Sequence, residues 1–479
     1  MNQAFQHWHA THDRPLTRRQ WLQRSGVGFG ALALAGLLAD ESIGTPLGDG
    51  SPLTERPPHF APRAKRIIFL FMHGGPSQVD TFDFKPQLQK DDGKPLPFGK
   101  PRVVSGETGA LLKSPFSFQQ YGQSGAYVSE LFPHVARHVD ELCFLKSVHG
   151  SNSRHGAALL ELHTGSDTFV RPSMGSWLSY GLGSENQNLP GYITICPSLT
   201  HGGSNNWSSA FLPAAYQGTR IGNASTASEM AKIPFVTRKT SPELQRLELD
   251  YLRQLNEGNL EITGPDSQLE SRIQAFELAF QLQNEAPAIQ DVSNESAETC
   301  EMYGLNDART KDFGLQCLLA RRFAERGVRF VQLSHSYKWD QHSGLKQAHE
   351  RNAFEVDQPI AALLTDLRKR GLLEDTLVWW GGEFGRTPVS QGDQRNGRDH
   401  NPHANTMWLC GGGVKPGLTY GATDEYGYYA VQNKVHFHDL HATLLHLMGL
   451  DHTALTYRYA GRDFRLTDIH GEVVHDIIA

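Results

Sequence analysis

A chain of 479 residues, 39% hydrophobic and 20% charged, can bury a substantial core, which excludes wholesale disorder. A net charge of −6, with no basic run beyond clusters such as Arg368-Lys369-Arg370, excludes nucleic acid as an expected partner. Five scattered cysteines without a CxxC pair argue against a disulfide framework, while 23 histidines require a chemical explanation.

In chain order, Thr17-Arg18-Arg19-Gln20-Trp21-Leu22-Gln23 precedes a weakly apolar run from Gly26 to Ala39. That run is too short to span a bilayer and suits a signal h-region. Residues 1–39 are therefore expected to be a twin-arginine signal. The twin-arginine export machinery is the expected partner, and the periplasm or extracellular space the expected destination. No later stretch is long and apolar enough for a transmembrane helix. Residues 40–64, with Pro46, Pro52, Pro57, Pro58 and Pro62, are expected to form a linker, and 65–479 a single domain.

Arg66–Met72 is a continuous apolar run, as in a buried parallel strand. Glu141–Val148, Gly191–Ile195, Val328–Ser334, Thr376–Trp380 and Asn405–Cys410 repeat the pattern. Gln87–Pro133 and Glu285–Asp307 look loop-rich. Between the strands lie helical patterns. Ser267-Gln268-Leu269-Glu270 has the form of a capping box, followed by a stripe of Leu269, Ile273, Phe276 and Phe280. Leu315, Leu318, Leu319 and Phe323 form another, stopped by Gly327. Pro359 suits a first turn, with Ile360, Leu363, Leu364 and Leu367 inward and Gly371 at the end. Leu440, Leu444, Leu447 and Met448 precede Gly449. Alternating strands and helices predict an α/β fold, a mostly parallel sheet sandwiched by helices.

Ligands of such sheets bind beyond the C-terminal strand ends. Four predicted strands run into His73 to Asp80, His149 to His155, His335 to His342, and Gly381 to Arg386. A further loop, Gly397 to His403, precedes Asn405–Cys410. Histidine and carboxylate thus converge on one edge. That mixture suits a divalent metal, and zinc, manganese or iron better than calcium or magnesium. Ser151, between a strand and the helical stretch Gly156–His163, can be a nucleophile or a plain N-cap. Ser77 is a second candidate nucleophile, or ordinary turn chemistry. Arg386, Arg398 and Arg154 can clamp a tetrahedral anion or sit solvated on the surface. In His436 to His441, Asp439 is expected as an N-cap and His441 as a packed residue.

Phe71-Met72-His73-Gly74-Gly75-Pro76-Ser77-Gln78 with Asp80 and Asp83, Arg171 to Trp177, Trp339-Asp340-Gln341-His342, Gly382 to Pro388, Gly397 to Pro402 and Val435 to His441 together carry a resemblance over nearly the whole chain. It resembles the exported bacterial domain-of-unknown-function family fifteen-hundred-and-one, within the alkaline phosphatase and sulfatase superfamily. The resemblance implies an alkaline phosphatase/sulfatase-like fold with one or two divalent ions, zinc first. It implies Asp340, His342 and His400 at one metal, and His73 or Asp80 with Glu383 at the other. It places the nucleophile region at Ser151 to Gly165, with His155 beside it. The chain departs from a typical sulfatase: no C-x-P-x-R or S-x-P-x-R is present, Glu383-Phe384 replaces the usual Asp-His pair, and His73 replaces the strand-one acid. The expected function is an exported metal-dependent hydrolase of phosphate or sulfate esters, on a small-molecule or polysaccharide substrate. The alternative is a non-catalytic, metal-stabilised binding or surface protein.

Overall fold

The computed structural model describes residues 53–99, 106–233, 240–264 and 267–479. The expected signal segment and the first part of the expected linker lie outside the described residues. The remainder of that linker is strapped to the body. Leu53 and Ala64 are buried, Arg56 N–H donates to Leu182 O at 2.9 Å, and Ala64 N–H to Leu447 O at 2.9 Å. Gly50–Thr456 and Arg465–Ala479 form one compact unit, and a short antiparallel hairpin, Tyr457–Tyr459 with Arg462–Phe464, falls outside it.

The unit is built on a nine-stranded sheet. Its strands are β1 (Arg66–Phe71), β2 (Leu142–His149), β3 (Tyr192–Ile195), β4 (Thr219–Ile221), β5 (Phe330–Ser334), β6 (Thr376–Gly381), β7 (Asn405–Cys410), β8 (Thr419–Tyr420) and β9 (Val435–His436). The order is β8-β2-β7-β6-β1-β5-β3-β4, with β9 also paired to β2. All neighbours are parallel except β7, which runs antiparallel to β2 and β6. The reversal of β7 matters for the site. Its N-terminal end lies where the other strands have their C-terminal ends, so the loop before it reaches the same edge.

The principal helices are α1 (His155–Thr164), α2 (Met174–Leu182), α3 (Pro242–Thr263), α4 (Ser267–Gln290), α5 (Lys311–Glu325), α6 (Leu345–Lys369) and α7 (Phe437–Leu447). They cover both faces of the sheet. Ile68, Leu70 and Met72 join the core shared with α5 and α6, while Phe69 and Phe71 face His163 of α1. This alternation is the period-two geometry of a strand buried on both sides.

Three helical expectations change. Pro359 lies inside α6, which starts fourteen residues earlier, because Leu345, His349, Ala353 and Val356 extend the same buried stripe. The capping box expected at Ser267 lies outside the described side chains. The stripe expected on α4 is only partly covered: Leu269, Ile273 and Phe280 are half-buried and Phe276 is 46% exposed, while Leu282, Ala286 and Ile289 are fully buried. Both segments expected to be loop-rich hold short elements. Gln87–Pro133 contains the strands Thr108–Leu111, Phe118–Tyr121 and Ala126–Ser129, and Glu285–Asp307 takes in the end of α4 and a helix at Ala297–Met302. Among the described residues, no helix is long and apolar enough to cross a membrane.

Candidate metal centre at the strand ends

His73 follows β1 through a turn that needs glycine. Gly74 has φ +114°, and a Cβ there would lie 2.7 Å from Asp340 N. The bare backbone lets the Gly74 N–H reach Glu383 Oε1 at 3.0 Å. Glu383 follows β6 and is fully buried, and it also meets His155 Nδ1 at 2.7 Å. His155 opens α1, and its Nε2 lies 3.3 Å from Asp340 Oδ2, an ion-pair contact without hydrogen-bond alignment. Asp340, after β5, is the hub. Its Oδ1 faces Arg386 Nη2 at 2.7 Å, His342 Nε2 at 2.9 Å and His400 Nε2 at 3.1 Å. Tyr337 donates its hydroxyl to Oδ2 at 3.1 Å. His73, His155, Asp340, His342, Glu383 and His400 are thus linked in one nest.

The tautomers are informative. His400 Nδ1 donates to Ser153 O at 2.7 Å, and His342 Nδ1 faces the Gln391 side-chain oxygen. In each neutral ring the proton is therefore on Nδ1, and the lone pair of Nε2 points at the Asp340 carboxylate. Acceptors facing one another are reconciled by a divalent cation or by the proton of an imidazolium, and the Asp340 carboxylate raises the pKa of His342. Histidine ligands of metals are oriented in this way, by a carbonyl on the far nitrogen.

Burial and charge compete across the nest. Burial pushes His73 down to about 4, against the pull of Glu383, and neither of its ring nitrogens has a hydrogen-bond partner. Burial opposes the charge of Asp340, yet His155, His342, His400 and Arg386 hold its carboxyl far below the usual range. Burial likewise opposes charge on His155, but its contacts with Asp340 and Glu383 raise it to about 9. Glu383 stays near 2, because His155 and His73 outweigh its burial.

Three groups of side chains bring donor atoms within 4.8 Å of one another: His73, His155 and His201; His155, Asp340 and His400; and His342, Asp399 and His400. Orphaned buried nitrogens and a mixed imidazole–carboxylate donor set fit a divalent cation of the zinc, manganese or iron type. A cavity of about 280 Å³ opens on them, lined by Ser153, Arg154, His155, Gly156, His201 and His400. The first turn of α1 faces it without a side-chain cap.

The other expected site residues lie elsewhere. Asp80 is not a free ligand: its carboxylate is held by Arg398 at 2.7 and 3.1 Å and by the Ser77 hydroxyl at 2.5 Å, all of them buried. Ser77 is thereby engaged as well. Arg386 and Arg398 are fully buried rather than solvated, and neither is free to clamp an anion. The first donates to Gly74 O, Gly75 O, Trp339 O and Asp340, the second to Asp80, Thr387 O and Lys113 O. Ser151 is exposed and outside the cavity lining. Its hydroxyl lies 3.1 Å from His436 Nε2, but His436 Nδ1 accepts the His438 N–H in a capping box with Asp439. The proton of neutral His436 is then on Nε2, so the ring cannot draw one from Ser151. Asp439 thus acts at the third helical position rather than as the N-cap. His441 is packed, with Nε2 on Leu162 O at 2.7 Å.

Sequence reasoning missed His201, Tyr337 and Ser153. His201 stacks on His155 at 5.0 Å, and Tyr337 lies 5.0 Å from the His73 ring. Both have left-handed backbones, at φ 52° and 50°. Such strain in non-glycine residues concentrates at functional sites, but no local sequence signal marks it.

A family model described as "Protein of unknown function (DUF1501)" matches residues 64–478. No curated protein matches the chain. Among solved structures, the chain is similar to the lipoteichoic acid synthase LtaP from Listeria monocytogenes at 9% identity and a TM-score of 0.35, covering 87% of this chain and 78% of that one. It is similar to the PsFucS1 sulfatase from Pseudoalteromonas sp. at 12% identity and a TM-score of 0.33, covering 88% and 70%. It is also similar to an alkaline phosphatase from the Antarctic bacterium TAB5 at 11% identity and a TM-score of 0.33, covering 81% and 99%.

Proposed function

Because this chain belongs to the DUF1501 family, whose shared description assigns no activity, we propose from its own geometry that it is a divalent-metal-dependent hydrolase of phosphate or sulfate esters acting outside the cytoplasm. The observation that carries this reading is the pair of histidines, His342 and His400, both turning Nε2 to one oxygen of Asp340 while their far nitrogens are tied to oxygens.

Asp340, with His342 and His400 at 2.9 and 3.1 Å from its Oδ1, would hold one cation, and His73, His155 and His201 form another candidate group. When bound, a divalent cation supplies the charge that makes the ester's phosphorus or sulfur electrophilic. The chain's own groups do the rest. Arg386 fixes the Asp340 carboxylate. The uncapped N–H groups of α1 and the exposed Arg154 attract the non-reacting anionic oxygens to the cavity. His155, anchored through Nδ1 on Glu383, offers Nε2 as its one ligand atom to the group it forms with His73 and His201. Ser153, rather than Ser151, is the serine that lines the cavity and is the candidate nucleophile. A small-molecule or polysaccharide ester is the substrate class.

The test is elemental analysis of natively exported protein, coupled to a panel of aryl phosphate mono- and diesters and aryl sulfates. Bound metal with turnover that Ser153→Ala lowers by orders of magnitude supports the reading. Protein that binds no divalent metal overturns it. The engagement of Arg386 and Arg398 by protein groups favours one rival, a non-catalytic metal-stabilised protein, whose signature is bound metal without turnover across the panel. Export through the twin-arginine machinery is tested separately: Arg18→Lys with Arg19→Lys should retain the protein in the cytoplasm.

A further inference from the structure

We infer that the outer face of α3 is the interface of a homodimer with antiparallel, two-fold pairing. This 22-residue helix spans about 33 Å. Its inner face is fastened to α4. Arg246 binds both oxygens of Glu277 at 2.7 and 2.6 Å and lies over the Phe280 ring, and Arg253 reaches the same carboxylate at 2.5 Å. The opposite face carries an apolar stripe left in solvent, broken only at Gly258 and Asn259: Leu244, Leu247, Tyr251, Leu255 and Ile262 are 48%, 66%, 62%, 52% and 86% exposed. At 100° per residue these five fall within about 80° of one another, the width of a helix-packing seam.

A second copy of this chain is the occupant, because the stripe is self-complementary. A two-fold axis requires that a patch match its own reverse. Reversing α3 about Arg253 sets Leu244 against Ile262 and Tyr251 against Leu255. It sets the bulky Leu247 against Asn259 and Glu248 against Gly258, and Glu261 falls opposite Gln245, so no acid meets an acid. The stripe exposes roughly 600 Å² per copy, so pairing buries on the order of 1,200 Å², the lower bound of a specific interface. The association is therefore expected to be weak and concentration-dependent.

Sedimentation of the purified protein up to about 100 µM should show the mass double with concentration. Leu247→Glu, Tyr251→Glu and Leu255→Glu together should weaken association at least tenfold, with unchanged circular dichroism and melting temperature, because all three side chains face solvent in the single copy. In a Cys300→Ser background, where the remaining cysteines are buried, Tyr251→Cys mixed with Leu255→Cys should cross-link much faster than either alone. A protein that stays monomeric throughout, or a dimer that survives the triple substitution, overturns the inference. So does a monomer that sediments through α3 with vesicles of phosphatidylethanolamine and phosphatidylglycerol.

Discussion

Two aspartates, Asp80 buried and Asp340 half-buried, each paired with a fully buried arginine, behave in opposite ways. Asp80 meets only donors: Arg398 through two nitrogens and the Ser77 hydroxyl. Its charge is satisfied, and the pair is closed. Asp340 meets Arg386, but also two histidines whose far nitrogens are already donating. Around it lie the His73 ring, whose nitrogens have no hydrogen-bond partner, the His155 Nε2 at 3.3 Å from Oδ2, and a cavity. A closed pair holds loops together; an open nest with surplus lone pairs is prepared for a cation. Proximity of Asp to Arg does not separate the two cases. The direction of the remaining lone pairs does.

The sharpest way to break this contrast is metal content. Asp340→Ala should remove essentially all bound divalent metal, because neutral imidazoles cannot supply the missing charge; elemental analysis that finds the wild-type content would sink the nest. Asp80→Ala should do the reverse. It should keep the metal content of folded protein but cost about 3–5 kcal/mol in denaturant unfolding, since Arg398 is left buried and unpaired. If it instead sheds metal without losing stability, the two aspartates have been assigned the wrong way round.

Gln391→Ala tests the tautomer argument. It frees His342 Nδ1 and should weaken metal binding about 10–100-fold in a competition titration with a chelating dye. Unchanged affinity would mean that His342 is a bystander.

A third carboxyl, the buried Asp357, extends the comparison, for it has backbone N–H groups as partners rather than a guanidinium. It accepts from His134 and Val135 at 2.8 Å each, and burial pushes it up to about 7 despite those bonds. The folded protein then keeps a proton that the unfolded chain releases near pH 4. The associated stability is fully present below that pH and is lost as the pH rises through about 7, by at most about 1.4 kcal/mol per pH unit. Asp357→Asn should lack this slope in melts taken across that range. A wild type that gains stability relative to the variant as the pH rises would contradict the assignment. The smallest effect is expected at Ser151. Ser151→Ala should change stability by about 0.5 kcal/mol or less, as for other exposed sites, and should leave any ester turnover intact.

Much of the nest is legible in the residue pattern alone. Arg66–Met72 and Thr376–Trp380 are unbroken apolar runs, and such runs become parallel strands whose ends face one way. The residues just past them, His73 and Glu383, therefore meet. Asp340 and His342, past β5, follow from the same reasoning, whereas His400 precedes β7 and reaches the edge only because that strand is reversed. Asp80 sits in an equally suggestive motif, but nothing local reveals that Arg398, far along the chain, closes on it. Arg386 and Arg398 read either as anion clamps or as solvated surface residues; their burial depends on carbonyls gathered from separate loops. His201 and Tyr337 carry no local signal at all, since their neighbours come from other strand ends.

The sequence by itself determined the alternation of strands and helices, because periodicity is a local property, and that alternation implies a mostly parallel sheet with one ligand-binding edge. It did not determine which of the histidines and carboxylates at that edge hold one another and which are left open. The antiparallel entry of β7, the continuation of α6 through Pro359 and the left-handed turns at His201 and Tyr337 were decided by packing between segments distant in sequence, where a buried group takes whichever partner the fold presents.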